Sequence, residues 1–117
     1  MIQVLVAEHR AIEAALDALS DGIASGAIDV DAVRRVHRLC AAHYEREEEF
    51  LGRLSAPLAA KLRAQHDEAL EIAARLEEAV MAGETRDAIY LARRLVAIAQ
   101  HNIIEEERDV FPCAERM

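Results

Sequence analysis

Apolar residues recur along the chain in four runs, each with the alternating three- and four-residue spacing of a helix that buries one face. The first run is Leu5, His9, Ile12, Leu16, Leu19 and Ile23, spaced 4-3-4-3-4. The second is Val33, Val36, Cys40, His43, Glu47, Phe50 and Leu54, spaced 3-4-3-4-3-4. Leu62, His66, Ala69, Ala73, Leu76 and Val80 make the third, and Ala88, Leu91, Leu95, Ile98 and His101 the fourth. Helix breakers separate them: Asp21-Gly22 through Gly26-Ala27-Ile28-Asp29, then Ser55-Ala56-Pro57, then Met81-Ala82-Gly83-Glu84-Thr85. Each break carries a terminating glycine or a capping side chain, with Asp29, Ser55 and Thr85 as expected N-caps. Short connections between long helices make consecutive helices antiparallel neighbours. The expected fold is all-α, an up-down-up-down four-helix bundle filling residues 1–117 as one domain.

Composition agrees with this pattern. The 117 residues include 24 alanines but only four glycines and two prolines, and aromatics make up 3%. Such a chain is helical rather than a β-sandwich, a collagen or a disordered tail. The formal charge of −8 leaves no basic surface for phosphate backbones, so nucleic acid is not an expected partner. The N-terminus, Met1-Ile2-Gln3-Val4-Leu5-Val6-Ala7-Glu8-His9, lacks the basic opening of a signal peptide. No stretch reaches the ~18 apolar residues of a membrane span, so no membrane partner is expected. Two cysteines, Cys40 and Cys113, do not make a disulfide framework, and a reducing cytoplasm is the expected compartment.

Every apolar stripe is interrupted by a histidine, and the second also by Glu47. A charged glutamate on a core stripe costs several kcal/mol unless it is paired or bound to metal. Height along the bundle sharpens the point. His9 and His43 each lie 17 residues from the first connection, and His66 and His101 each lie 17 residues from the third. At about 1.5 Å per residue, equal counts mean equal height, so the four imidazoles are expected in one layer of the core.

The chain also repeats itself. His9 to His43 is 34 residues and His66 to His101 is 35, and each half ends in a histidine followed four residues later by a glutamate, Glu47 or Glu105. Positions i and i+4 share a helix face and reach one ion. Four imidazoles and two carboxylates suit two carboxylate-bridged metal ions, and this donor set without thiolate favours iron over zinc or manganese. Helix four leaves an alternative open. A single extra residue, a π-bulge between His101 and Val110, carries the stripe through Glu106, Val110 and Cys113 instead, so either Glu105 or Glu106 fills the bridging role.

These residues resemble the hemerythrin-like, or HHE cation-binding, family over essentially the whole chain. Glu8-His9 and Ile12, His43-x-x-x-Glu47-Glu48, His66, and His101 with Glu105-Glu106-Glu107 and Val110-Phe111-Pro112 carry the resemblance. It implies an oxo- or hydroxo-bridged non-haem centre of two iron ions that binds dioxygen, senses oxygen, iron or redox state, or handles nitric oxide or peroxide. The expected metal ligands are His9, His43, Glu47, His66, His101 and one of Glu105 or Glu106. Oxygen-carrying hemerythrins have a second histidine four residues after the one on helix three, where this chain has Leu70. An open position results, which favours a reactive or sensing centre over reversible carriage. Glu13 is a further acid within reach of His9, read first as a solvated residue, and His37 falls outside the layer.

The expected function is therefore binding or reduction of a small oxidant, by a peroxide- or nitric-oxide-handling oxidoreductase. The alternatives are a sensor, an oxygen carrier or an iron-storage module. The expected partners are a small diatomic or peroxide ligand and, for a sensor, a separate protein or a second copy of the chain.

Overall fold

The computed structural model describes residues 1–115, and they form four long helices: α1 (Ile2–Ser25), α2 (Val30–Leu51), α3 (Ala56–Met81) and α4 (Thr85–Glu105). A π-helical segment (Glu106–Val110) and a short helix α5 (Phe111–Glu115) continue α4 without a break in the chain. The connections fall where the breakers stand. Asp29 caps α2 by accepting from the Asp31 backbone N–H at 3.1 Å, and Ser55 caps α3 by accepting from that of Leu58 at 3.4 Å. Thr85 is not a cap: it is the first residue of α4, after Glu84. Gly26 (φ 77°) and Gly83 (φ 73°) end their helices in left-handed geometry, which a side chain would strain.

Each helix packs on two others, α1 on α2 and α4, and α3 on α2 and α4, as in a four-helix bundle. Side-chain pairs join early positions of one helix to late positions of the next, such as Glu8 with Arg46 and Lys61 with Glu105, as an up-down course requires. Two apolar clusters fill the interior. The larger runs from Ile12 through Leu19, Val33 to Tyr44, Ala69 to Ala79 and Ala88 to Ile103. The smaller gathers Leu5, Phe50, Leu51, Ala59, Leu62, Val110 and Phe111 at one end. Five polar side chains lie between the two clusters: His9, His43, Glu47, His66 and Glu106, all at most 3% exposed. Among the described residues, no helix is long and apolar enough to cross a membrane.

Candidate metal centre

Four helical elements each deliver part of this buried layer. His9, His43, Glu47 and Glu106 offer ligand atoms that all lie within 4.8 Å of one another. The His9 Nε2 is 2.9 Å from Glu106 Oε1, and the His66 Nε2 is 3.1 Å from Glu106 Oε2. One carboxylate thus spans two imidazoles, an oxygen to each. Glu47 Oε2 is 2.9 Å from His43 Nε2 and 3.9 Å from His66 Nε2. The short contact is not aligned as a hydrogen bond: His43 Nε2 and both Glu47 oxygens are buried without any hydrogen-bond partner. Three orphaned donor atoms converging in a dry core are costly in an apolar protein. They are what a cation-binding site looks like before the cation is counted, so the residues fit a metal.

The outer nitrogens are fixed by carboxylates. His43 Nδ1 meets Glu8 Oε1 at 2.9 Å, and Arg46 donates to the other oxygen of Glu8 at 2.7 Å. His9 Nδ1 meets Glu107 Oε2 at 2.7 Å, and Arg10 pairs with the other oxygen of Glu107. The His9 and His43 imidazoles are therefore held with Nε2 pointing inward, which sets the tautomer a metal ligand needs. Neither acid stands out in the sequence. Glu107 reads as part of a solvated acidic face, and Glu8 only as a neighbour of His9. The available signal is adjacency: each lies one residue from a layer residue, on the flank that meets the next helix.

Charge in the layer is strongly redistributed. Burial opposes the charge on His43, but the carboxylates of Glu106, Glu47 and Glu8 outweigh it and raise its pKa to about 10. Burial and the facing charge of Glu106 push Glu47 up to about 7. Glu106 is held well below the usual carboxylate range: burial works against its charge, and His43, His66 and His9 overcome that. Burial raises the Cys40 thiol to about 11, with the Tyr44 hydroxyl beside it, so Cys40 is a protonated core residue rather than a thiolate donor.

His101 is not in the layer. Its side chain is 69% exposed, and its Nε2 lies 3.2 Å from Glu105 Oε2. The expected layer of four imidazoles is a layer of three, because the buried seam of α4 is displaced by one position. It runs Ala88, Ala92, Leu95, Ala99, Asn102 and Glu106, and not through Ile98, which is half-buried. Ala99 is buried where Ile98 was expected, and Ile98 falls half-buried on the flank. Asn102 then takes the inward position that His101 was expected to hold, and it donates to Gln65 Oε1 at 2.9 Å. Glu105 points at α3, where Lys61 donates to it at 2.6 Å. Of the two alternatives, the structure brings Glu106 to the layer. Glu13 lies outside it, paired with Arg10, and Leu70 and His37 are half-buried beyond it.

The π segment that follows is the extra residue foreseen on helix four. Through it the seam continues to Val110 and Phe111, whereas Cys113, expected on the stripe, is exposed. Phe111 stacks on the His9 ring with centroids 5.5 Å apart, so Glu106, Glu107 and Phe111 all grip His9. On the opposite side Tyr44 stacks on the His66 ring at 3.9 Å and 5°.

A family model for the hemerythrin HHE cation binding domain matches residues 1–114. The chain belongs to that family. No curated protein and no solved structure matches it. Membership in an HHE cation-binding family agrees with the buried His/Glu cluster, and the chain is read as metal-binding on both grounds.

Proposed function

We propose that this hemerythrin-like chain is a non-haem protein with two iron ions, whose carboxylate-bridged centre binds or reacts with dioxygen, peroxide or nitric oxide. The observation that carries the reading is the set of orphaned atoms, His43 Nε2 with both oxygens of Glu47, inside a layer of three imidazoles and two carboxylates. In this reading His9 and His43 hold one ion and His66 stands at the other, with Glu47 and Glu106 between them. The placement of one Glu106 oxygen toward His9 and the other toward His66 supports the bridge. An imidazole and carboxylate set with a protonated thiol nearby favours iron, with zinc or manganese less well suited.

Bound there, the ions supply Lewis-acid polarisation and electron transfer to a small ligand. The chain supplies the rest. Glu8 and Glu107 hold the imidazoles in one tautomer, and the two apolar clusters keep water out of the layer. His66 is the one imidazole on its side of the layer, since His101 lies at the surface and Leu70 carries no donor atom, so fewer residues would hold an ion there. That asymmetry favours a reactive centre over reversible carriage. A sensing role rests on a different feature: two contacts of His9 come from the π segment, through Glu106 and Glu107, and a third from Phe111 at the start of α5, so loss of metal bears on that stretch.

The test is iron content and the visible spectrum before and after oxygen, peroxide and nitric oxide. Wild type and Glu105→Ala are expected to hold equal iron, and Glu106→Ala to lose it. Equal iron in both variants, or none in the wild type, overturns the assignment. Reversible oxygen binding through many cycles without oxidation identifies a carrier instead.

A further inference from the structure

The metal layer is enclosed by four helix–helix seams, and three of them are plugged by polar side chains. Between α1 and α2, Glu8 links His43 Nδ1 to Arg46. Between α1 and the π segment, Glu107 links His9 Nδ1 to Arg10, with Phe111 stacked over the ring. Between α3 and α4, Lys61 and Gln65 donate to Glu105, and Asn102 donates to Gln65. Above and below the layer stand the two apolar clusters.

The α2–α3 seam differs. Its polar contact, Arg63 with Glu48 at 3.1 Å, lies at the exposed rim. Beneath the rim is a cleft of about 490 Å³ whose floor is Tyr44 and His66 and whose apolar walls are Ala41 and Leu70. Tyr44 is 6% exposed and lies flat on the His66 ring, so the two stacked rings form the wall between the cleft and the rest of the layer. The rim also carries Glu45 and Asp67, which leaves it net negative after the Arg63–Glu48 pair is counted.

We infer that this cleft is the way in to the centre for small neutral ligands, with Tyr44 as its gate and the acidic rim as a filter against anions. The inference rests on the metal-centre reading above. It adds the route, the gate and the charge class of the ligand. Field from the rim lowers the local concentration of anions and leaves uncharged molecules unaffected.

Stopped-flow absorbance of the iron-loaded protein tests it, with nitric oxide as the neutral probe and azide as the anion. Ala41→Trp, or Leu70→Phe as a second plug, is expected to slow nitric oxide association about tenfold, and Tyr44→Ala to speed it. Ala82→Trp, in a separate cleft at the far end of α3, is expected to leave the rate unchanged. Glu45→Gln with Asp67→Asn is expected to raise the azide rate by roughly an order of magnitude at low salt, with the nitric oxide rate unaltered. Iron content and thermal midpoint are measured for every variant. Full iron with an unchanged nitric oxide rate in both plugged variants overturns the route, as does equal slowing by Ala82→Trp. An azide rate indifferent to the rim charges overturns the filter. Absence of iron from the wild type overturns the metal-centre reading instead.

Discussion

Both oxygens of Glu47 are buried with no hydrogen-bond partner, a condition that costs ~1–3 kcal/mol per group even when the pKa shifts to relieve it. The residue is a liability for folding and is retained on a stripe where leucine fits the pattern. Glu47→Leu is therefore expected to stabilise the metal-free protein by ~1–3 kcal/mol while abolishing metal binding. Urea midpoints of the metal-free forms, read beside metal content, check this. A variant less stable than metal-free wild type shows that the carboxylate is satisfied by something other than a cation. Glu47 was legible in the sequence because a charge on a core stripe is an anomaly that pattern alone exposes. Glu8 and Glu107 were not, because a half-exposed acid beside a ligand looks like any solvated acid until the neighbouring helix is placed.

At the scale of elements, three helices lie as their stripes predict, and the fourth departs from its stripe by one position after Leu95. Leu91, Leu95 and Ile98 are the larger apolar residues, so hydrophobicity places the seam through them and carries His101 inward. Leu91 and Leu95 are buried as expected, but the seam then passes through Ala99 rather than Ile98, and Asn102 follows. Two helical turns take about 7.2 residues, so the expected 3-3 step from Leu95 to His101 drifts off the buried face while the 4-3 step to Asn102 stays on it. The π segment was legible, because a regular continuation of the His101–Glu105 face buries Arg108 and leaves Val110 off the stripe, whereas Val110 is buried and Arg108 exposed. Because Glu106, Glu107 and Phe111 converge on His9, backbone amides of residues 107–111 are expected to exchange more slowly in the metal-loaded protein than in the metal-free one. Amides in α1 and α3 away from the layer serve as the reference. Equal protection of 107–111 in both states removes the structural basis for a sensing role.

For the whole molecule, the layer makes stability and metal affinity respond to pH in opposite directions. The formal charge of −8 counts Glu47 and Glu106 as surface acids, yet both are buried beside imidazoles. Without metal, protons take the place of cations. His43 has its pKa raised from 6.5 to about 10 by the carboxylates around it, against the opposing effect of burial. A raised pKa contributes stability in full below the unfolded value of 6.5 and loses it as pH climbs to about 10. Glu47, raised from 4.5 to about 7 chiefly by burial, has the same sign, its contribution complete below 4.5 and gone above about 7. Metal-free protein is therefore expected to lose thermal stability steadily from pH 6.5 upward. Metal binding displaces the His43 proton, so affinity is expected to rise about tenfold per pH unit for each proton displaced. The gap between the thermal midpoints of loaded and metal-free protein should then widen from pH 6.5 to 9. Calorimetric scans of both forms across that range check the sign: a gap that stays constant or narrows means that the metal displaces no proton from the layer and that His43 is uncharged in the metal-free core.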